Sequence, residues 1–188
     1  MSWFQVIRCD NTTKNPYVAD NVDLKGFDEW DFCKGTPVDN WDNGVWFQAK
    51  KVHNDGDPDD VLQNLLGLPI YSKRLQLALI QEGINRIQYL PVKILRPDNS
   101  EIDGFAIANI LDLIPSLDWE RSNYELKKNR PGEVRYITNM VLKRQSIQGY
   151  DIFRMKEFKL NIIVSEKFKT MFEKNRFTGY SFDKRRLS

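Results

Sequence analysis

The sequence predicts an α+β fold, with a mixed or mainly antiparallel sheet and a few short helices. Apolar runs rich in β-formers recur between turn residues, and helical spacing is confined to short segments. The third observation is an internal likeness. Leu68–Tyr89 (LPIYSKRLQLALIQEGINRIQY) and Asn161–Phe182 (NIIVSEKFKTMFEKNRFTGYSF) register when shifted by 93 residues. Ser72 then falls on Ser165, Leu75 on Phe168, Leu79 on Phe172 and Ile87 on Tyr180. Each copy reads as strand, serine, helix, strand.

Trp3–Cys9 is the expected first strand. Asp10–Ala19, with Asn11, Asn15 and Pro16, reads as a loop. Asp28–Phe32 fits one helical turn ended by Gly35, and Val45–Lys50 a strand. Asp57 as N-cap and Pro58 at the first helical position predict a short helix to about Leu66. In the first copy, Ser72 can accept an otherwise unpaired helix N–H, and Leu75, Ala78 and Leu79 form the buried face. Gly83 is placed to end that helix in the left-handed region. Ile84–Leu95 returns as a strand whose apolar parity slips at Leu90-Pro91, so a bulge or an edge position is expected there.

Pro97–Ser100 is a turn, after which Asp103–Leu113 pairs back. Asp118–Gly132 reads as a loop with one helical turn near Trp119–Ser122. Glu133–Lys143 alternates, placing Tyr136, Thr138, Met140 and Leu142 on one face, and Tyr150–Met155 is a short strand. Ser165 caps the second helix, with Glu166 in its first turn and Phe168, Met171 and Phe172 as its stripe. Thr178–Phe182 is the last strand, and Asp183–Ser188 a basic tail expected to fray.

Two regions differ in charge. Residues 1–67 hold 12 acids against 6 bases, net −6, and residues 68–188 carry net +8. This divides the chain into an acidic, aromatic-rich N-terminal subdomain (1–67) and an α+β domain (68–188) that contains both copies, 68–89 and 161–182; one continuous domain is the alternative. A chain of 188 residues buries roughly 70 % of its unfolded surface, so it needs neither disulfides nor a metal to hold a core. Met1-Ser2-Trp3-Phe4 has no basic stretch leading into an apolar run, and no apolar segment reaches the ~20 residues of a membrane helix. A cytoplasmic protein without a membrane partner is expected. Cys9 and Cys33 fit free thiols, with a disulfide between them as the alternative.

Catalytic patterns are sparse. His53, the single histidine, sits in HNDGDPDD, which reads as an exposed loop. Asp55, Asp57, Asp59 and Asp60 superficially match a calcium loop, but Asp60 stands where glycine is needed and Leu66 where a bidentate acid is needed. There is no phosphate-binding glycine loop, dinucleotide fingerprint or nucleophile elbow. No cofactor, metal or nucleic-acid partner is expected. A small enzyme built on a carboxylate pair such as Asp28/Glu29, or on His53 with an acid, is one alternative; a nucleic-acid module using the basic back half is another. The remaining feature is Phe27, Trp30, Phe32, Trp41 and Trp46 among Asp23, Asp28, Glu29, Asp31, Asp39 and Asp42. Its rings either fill a small core or form a protein-binding face whose acidic rim steers a basic partner. In the second reading, the candidate contacts are Trp30, Asp31, Trp41, Asp42, Asp55, Asp57, Asp59 and Asp60.

Several stretches carry a family resemblance: Leu68-Pro69-Ile70-Tyr71-Ser72-Lys73-Arg74-Leu75, Gln88-Tyr89-Leu90-Pro91-Val92, and Ile110-Leu111-Asp112 through Leu117-Asp118. The most specific is Gly149-Tyr150-Asp151-Ile152-Phe153-Arg154-Met155-Lys156-Glu157, followed by Ile163-Val164-Ser165-Glu166-Lys167-Phe168. In order and spacing, residues 68–182 resemble a bacterial immunity-protein family found beside polymorphic toxins, the family named for a myxobacterial immunity protein. The resemblance implies a cytoplasmic antidote that binds and blocks a cognate toxin without catalysis, and it carries over no catalytic residues.

Overall fold

The computed structural model describes residues 1–8, 17–51 and 58–188. In chain order the elements are β1 (Trp3–Arg8), β2 (Tyr17–Asp23), β3 (Trp46–Lys51), β4 (Val61–Asn64), β5 (Ile70–Tyr71), α1 (Lys73–Gln81), β6 (Ile87–Pro91), β7 (Lys93–Leu95), β8 (Glu101–Ile102), β9 (Ala106–Ile110) and β10 (Leu113–Ile114). They continue with β11 (Asn123–Leu126), β12 (Val134–Asn139), β13 (Val141–Leu142), α2 (Arg144–Ile147), β14 (Ile152–Met155), β15 (Ile162–Ser165), α3 (Glu166–Lys174) and β16 (Tyr180–Leu187). A 3-10 turn, Asp31–Cys33, lies between β2 and β3. The fold is α+β, with mixed sheets and short helices.

The strands form a six-stranded sheet, β10-β14-β15-β1-β16-β13, an eight-stranded sheet, β6-β9-β5-β4-β2-β3-β7-β8, and a ribbon of β11 and β12. Strands from both sides of residue 67 share each of the larger sheets. Three cores lie between and outside these sheets, and side-chain parity sorts residues among them. Along β15, Ile162 and Val164 enter the central core and Ile163 an outer one. Along β5, Tyr71 faces the central core and Ile70 the other outer one. Strands covered on both faces are buried along their whole length and mostly apolar, as AIANI of β9 and IIVS of β15 are, with Asn109 and Ser165 as their buried polar residues.

The two similar stretches flank the central core. β5 and β6 both run antiparallel to β9 between them, with α1 as the crossover. β15 and β16 do the same around β1, with α3 as the crossover. Ser72 Oγ accepts from Leu75 N and donates to Asp60 Oδ1 at 2.7 Å. Ser165 Oγ accepts from Phe168 N and donates to Asp151 Oδ1 at 2.7 Å. Each aspartate also pairs with the cation two residues after its serine, Asp60 with Arg74 and Asp151 with Lys167. Gly83 follows α1 at φ +73°. Leu75, Leu79, Phe168, Met171 and Phe172 all reach the central core, where the Tyr71 and Tyr180 hydroxyls meet at 3.1 Å.

Five expectations change. Val61–Asn64 is a strand and not the end of a helix, because Val61 and Leu62 fill opposite cores while pairing with β5; the anticipated cap Asp57 lies outside the described residues. Tyr17–Asp23 is strand rather than the end of a loop, since β3 and β4 supply ladder partners on both sides. Asn123–Leu126 pairs with β12 instead of continuing a loop. The Glu133–Lys143 stripe breaks: Tyr136 is exposed while Met140 and Leu142 are buried. The basic tail is not frayed, because β16 continues to Leu187 between β1 and β13. At the Leu90-Pro91 slip, β6 ends as the edge strand and the chain resumes two residues on as β7.

Candidate functional site

The acidic, aromatic segment between β2 and β3 is held by side-chain bonds to the edge strand β6 and to Asn109 of its neighbour β9. Gln88 Nε2 donates to Val38 O, and Val38 N donates back to Gln88 Oε1 at 2.8 Å. Asn109 Nδ2 donates to Thr36 O, and Trp41 Nε1 to Pro91 O at 2.9 Å. The Trp41 bond caps a backbone carbonyl at the end of the edge strand β6. Phe27, Phe32 and Trp41 stack beneath the segment, with Phe27 and Trp41 ring centroids 5.1 Å apart. Gly35, at φ +72°, lies so close to β10 that an added Cβ would come within 2.7 Å of Leu113 Cβ.

The candidate contacts therefore divide. Trp30 is exposed, just ahead of the 3-10 turn, with its N–H donated to Asp28 Oδ1. Asp31 accepts from Asp28 N and from Lys34 Nζ at 2.6 Å, and the Lys34 bond is the main reason its carboxyl is held below the usual range. Trp41 is half-buried and anchored, whereas Asp42 is exposed and accepts from Gly44 N. Asp60 is turned inward, accepting from Ser72, Arg74 and Thr178 N. Its neighbour Asp59 is half-buried, and burial raises its carboxyl pKa. Asp55, Asp57 and His53 lie outside the described residues, as does Cys9; Cys33 is buried, its thiol donating to Glu29 O. A depression of about 400 Å³ opens on this face, lined by Phe27, Asp31, Lys34, Thr36 and Asp39 among others.

Beyond Lys34 the surface changes sign. A second cavity of about 300 Å³ is lined by Trp30, Lys34, Lys127, Arg130, Glu133 and Lys159, with Phe158 and Leu160. Glu133 accepts from Lys127 at 2.9 Å, which chiefly lowers its pKa, and lies 3.4 Å from Lys159 and 3.6 Å from Arg130. Sequence reasoning did not single out this cluster. Lys127-Lys128 and Arg130 were a visible basic group, but Lys34 and Lys159 join it only through the fold. Among the described residues, no group of three or more His, Cys, Asp or Glu side chains could hold a metal ion.

Arg154, fully buried in β14, positions part of that cavity wall by donating from Nη1 to Lys159 O at 2.9 Å. Glu157 accepts from Ser116 N and Leu117 N, while its carbonyl accepts from Val134 N at 2.8 Å. Asp151, Arg154 and Glu157 thus all make contacts that hold the fold together. They belong to a chain segment within a wider match: the model of the immunity protein family Imm11 matches residues 9–186.

The chain belongs to the Imm11 immunity protein family.

Its members are immunity proteins by description, which supports an immunity role here, implies a toxin as partner and fits a protein that is not an enzyme. No match was found among curated proteins. Among the described residues, no helix is long and apolar enough to cross a membrane.

Proposed function

We propose that this protein is the antidote of a toxin–immunity pair. It acts in the cytoplasm by binding its cognate toxin and covering the toxin's active site, with no catalysis of its own. The observation that carries this reading is the family match over nearly the whole chain. The acidic segment between β2 and β3 supplies a face for the contact. Its 23–42 stretch holds six acids against two lysines, so it attracts a basic toxin surface and speeds encounter. Trp30 is its exposed aromatic anchor, with Asp31, Trp41 and Asp42 beside it and the 55–60 segment as a further contact region. Asp60 contributes by holding its own loop, since its carboxylate is occupied within the fold.

The test is co-expression with the toxin encoded beside this gene, together with assay of toxin activity in the presence of purified protein. Cells survive, and activity falls to zero at stoichiometric antidote. Death of cells that contain abundant folded protein overturns the reading.

A further inference from the structure

The cationic cavity does not stand alone. Leu160 also lines a depression of about 460 Å³, together with Ile7, Leu65, Leu66, Gly67 and Tyr180. The two cavities therefore adjoin at Leu160. Their rims carry exposed large apolar side chains: Ile7 is 43 % exposed, Leu65 74 % and Leu160 51 %, with Trp30 at the far end. Elements from across the sequence meet here: β1, the β4–β5 turn, the β14–β15 loop, the β11–β12 tip and the 3-10 turn.

The charges give this trough a direction. Its Trp30 end has four cations lining the cavity against one carboxylate, Glu133. Asp31 engages Lys34, and Glu133 is shared by Lys127, Arg130 and Lys159. One carboxylate shared among three cations leaves net positive charge, and the Ile7–Leu65 end offers apolar surface. Lysine and arginine beside an aromatic wall favour an incoming carboxylate, and exposed leucines and isoleucine favour apolar side chains.

Resting on the antidote reading above, we infer that this trough is a second toxin-docking site, which takes an extended toxin segment whose acidic residue sits among Lys127, Arg130 and Lys159 and whose apolar residues lie along Ile7, Leu65 and Leu160. The acidic face and the cationic trough meet at Trp30 and Lys34. The toxin surface that fits both is therefore two-signed: basic opposite the acidic depression, and acidic at one protruding segment. A contact with both polarities fixes orientation as well as attraction, since docking the wrong way round sets like charges together.

The test uses the full chain and the toxin domain encoded beside it. The K127E/K159E double variant is expected to weaken toxin binding at least tenfold and to flatten its dependence on salt. Because Lys127 and Lys159 also pair with Glu133, Leu65→Glu provides a second variant at a site where folding is undemanding; it is expected to weaken binding by a similar factor. Leu77→Glu, on the exposed side of α1 away from the trough, leaves binding unchanged. If wild type protects and both trough variants protect and bind equally well, the trough inference is wrong while the antidote reading stands. If wild type itself fails to bind toxin, both fall. Lysine-dependent binding of a single-stranded DNA oligonucleotide, with toxin affinity untouched by the double variant, would assign the cations to nucleic acid and overturn the docking site.

Discussion

Removing the Asp60 carboxylate should separate the two similar units energetically. Its oxygens accept from Ser72 Oγ at 2.7 Å, Arg74 Nη2 at 2.5 Å and Thr178 N at 3.1 Å, and only 8 % of the side chain is exposed. In Asp60→Ala the Thr178 N–H loses its acceptor in a part-buried site, which costs about 1–3 kcal/mol. The Arg74 pair adds about 0–1 kcal/mol, since Arg74 is 58 % exposed and largely screened. The lost Ser72 bond adds about 1 kcal/mol. The expected cost is about 2–5 kcal/mol. Asp151→Ala removes only the Ser165 bond and the Lys167 pair at 3.3 Å, for about 1–2 kcal/mol. Asp60→Asn keeps an acceptor for Thr178 N and recovers part of the loss. Urea unfolding followed by tryptophan fluorescence, at constant m-value, measures all three. Equal costs for the two alanine variants, or a larger one for Asp151→Ala, would refute the assignment of Asp60 as the bond between the units.

Trp41→Ala should destabilise by about 2–4 kcal/mol through lost ring packing and the Pro91 hydrogen bond, whereas Trp30→Ala changes stability by less than about 1 kcal/mol and weakens toxin binding; thermal melts beside a binding titration distinguish them. Gly179→Ala should prevent normal folding at 37 °C, because its Cβ would lie 2.4 Å from Val61 O and its φ is +99°; Gly132→Ala, with open space around it, should cost only the ~1–2 kcal/mol of a left-handed alanine. Asp59 has a folded-state pKa raised mainly by burial, so its contribution is fully present below the unfolded pKa and lost as pH rises through the folded one. Asp59→Asn should therefore stabilise the protein at pH 7 and lose that advantage toward pH 3, as read from urea midpoints across pH. Residues 68–188 expressed alone should give no cooperative unfolding transition, since β1 to β4 supply strands to both larger sheets.

Local signals in the sequence suffice where local chemistry sets the structure. Ser72 and Ser165 cap their helices because a hydroxyl three residues before an orphan N–H is the nearest acceptor, and the Phe168–Phe172 stripe follows helical spacing alone. The errors fall where a remote partner decides. VLQN became a strand because β5 and β2 lie on either side of it, and the charged DKRRL run pairs because β1 and β13 are waiting there. Neither pairing is encoded within the segment itself. The acidic loop was recognisable by composition, but its attachment through Gln88 and Asn109 was not, since amide side chains announce no direction. The trough was illegible for a plainer reason: Lys34, Lys127 and Lys159 are separated by more than 30 residues at each step.

The position of β1 sets the order in which the molecule can assemble. The first helical crossover closes on β9, which is made within 40 residues of it. The second closes on β1, and the Trp3–Ser165 pairing spans almost the entire chain. Loop closure costs roughly 0.6 kcal/mol for each doubling of loop length, so the first unit can form during synthesis while the second is entropically slower. Until residues 162–187 leave the ribosome, the apolar strand Trp3–Arg8 has no partner on either side. Each newly made chain therefore passes through an interval with an open sheet edge, which closes only when its last strand arrives.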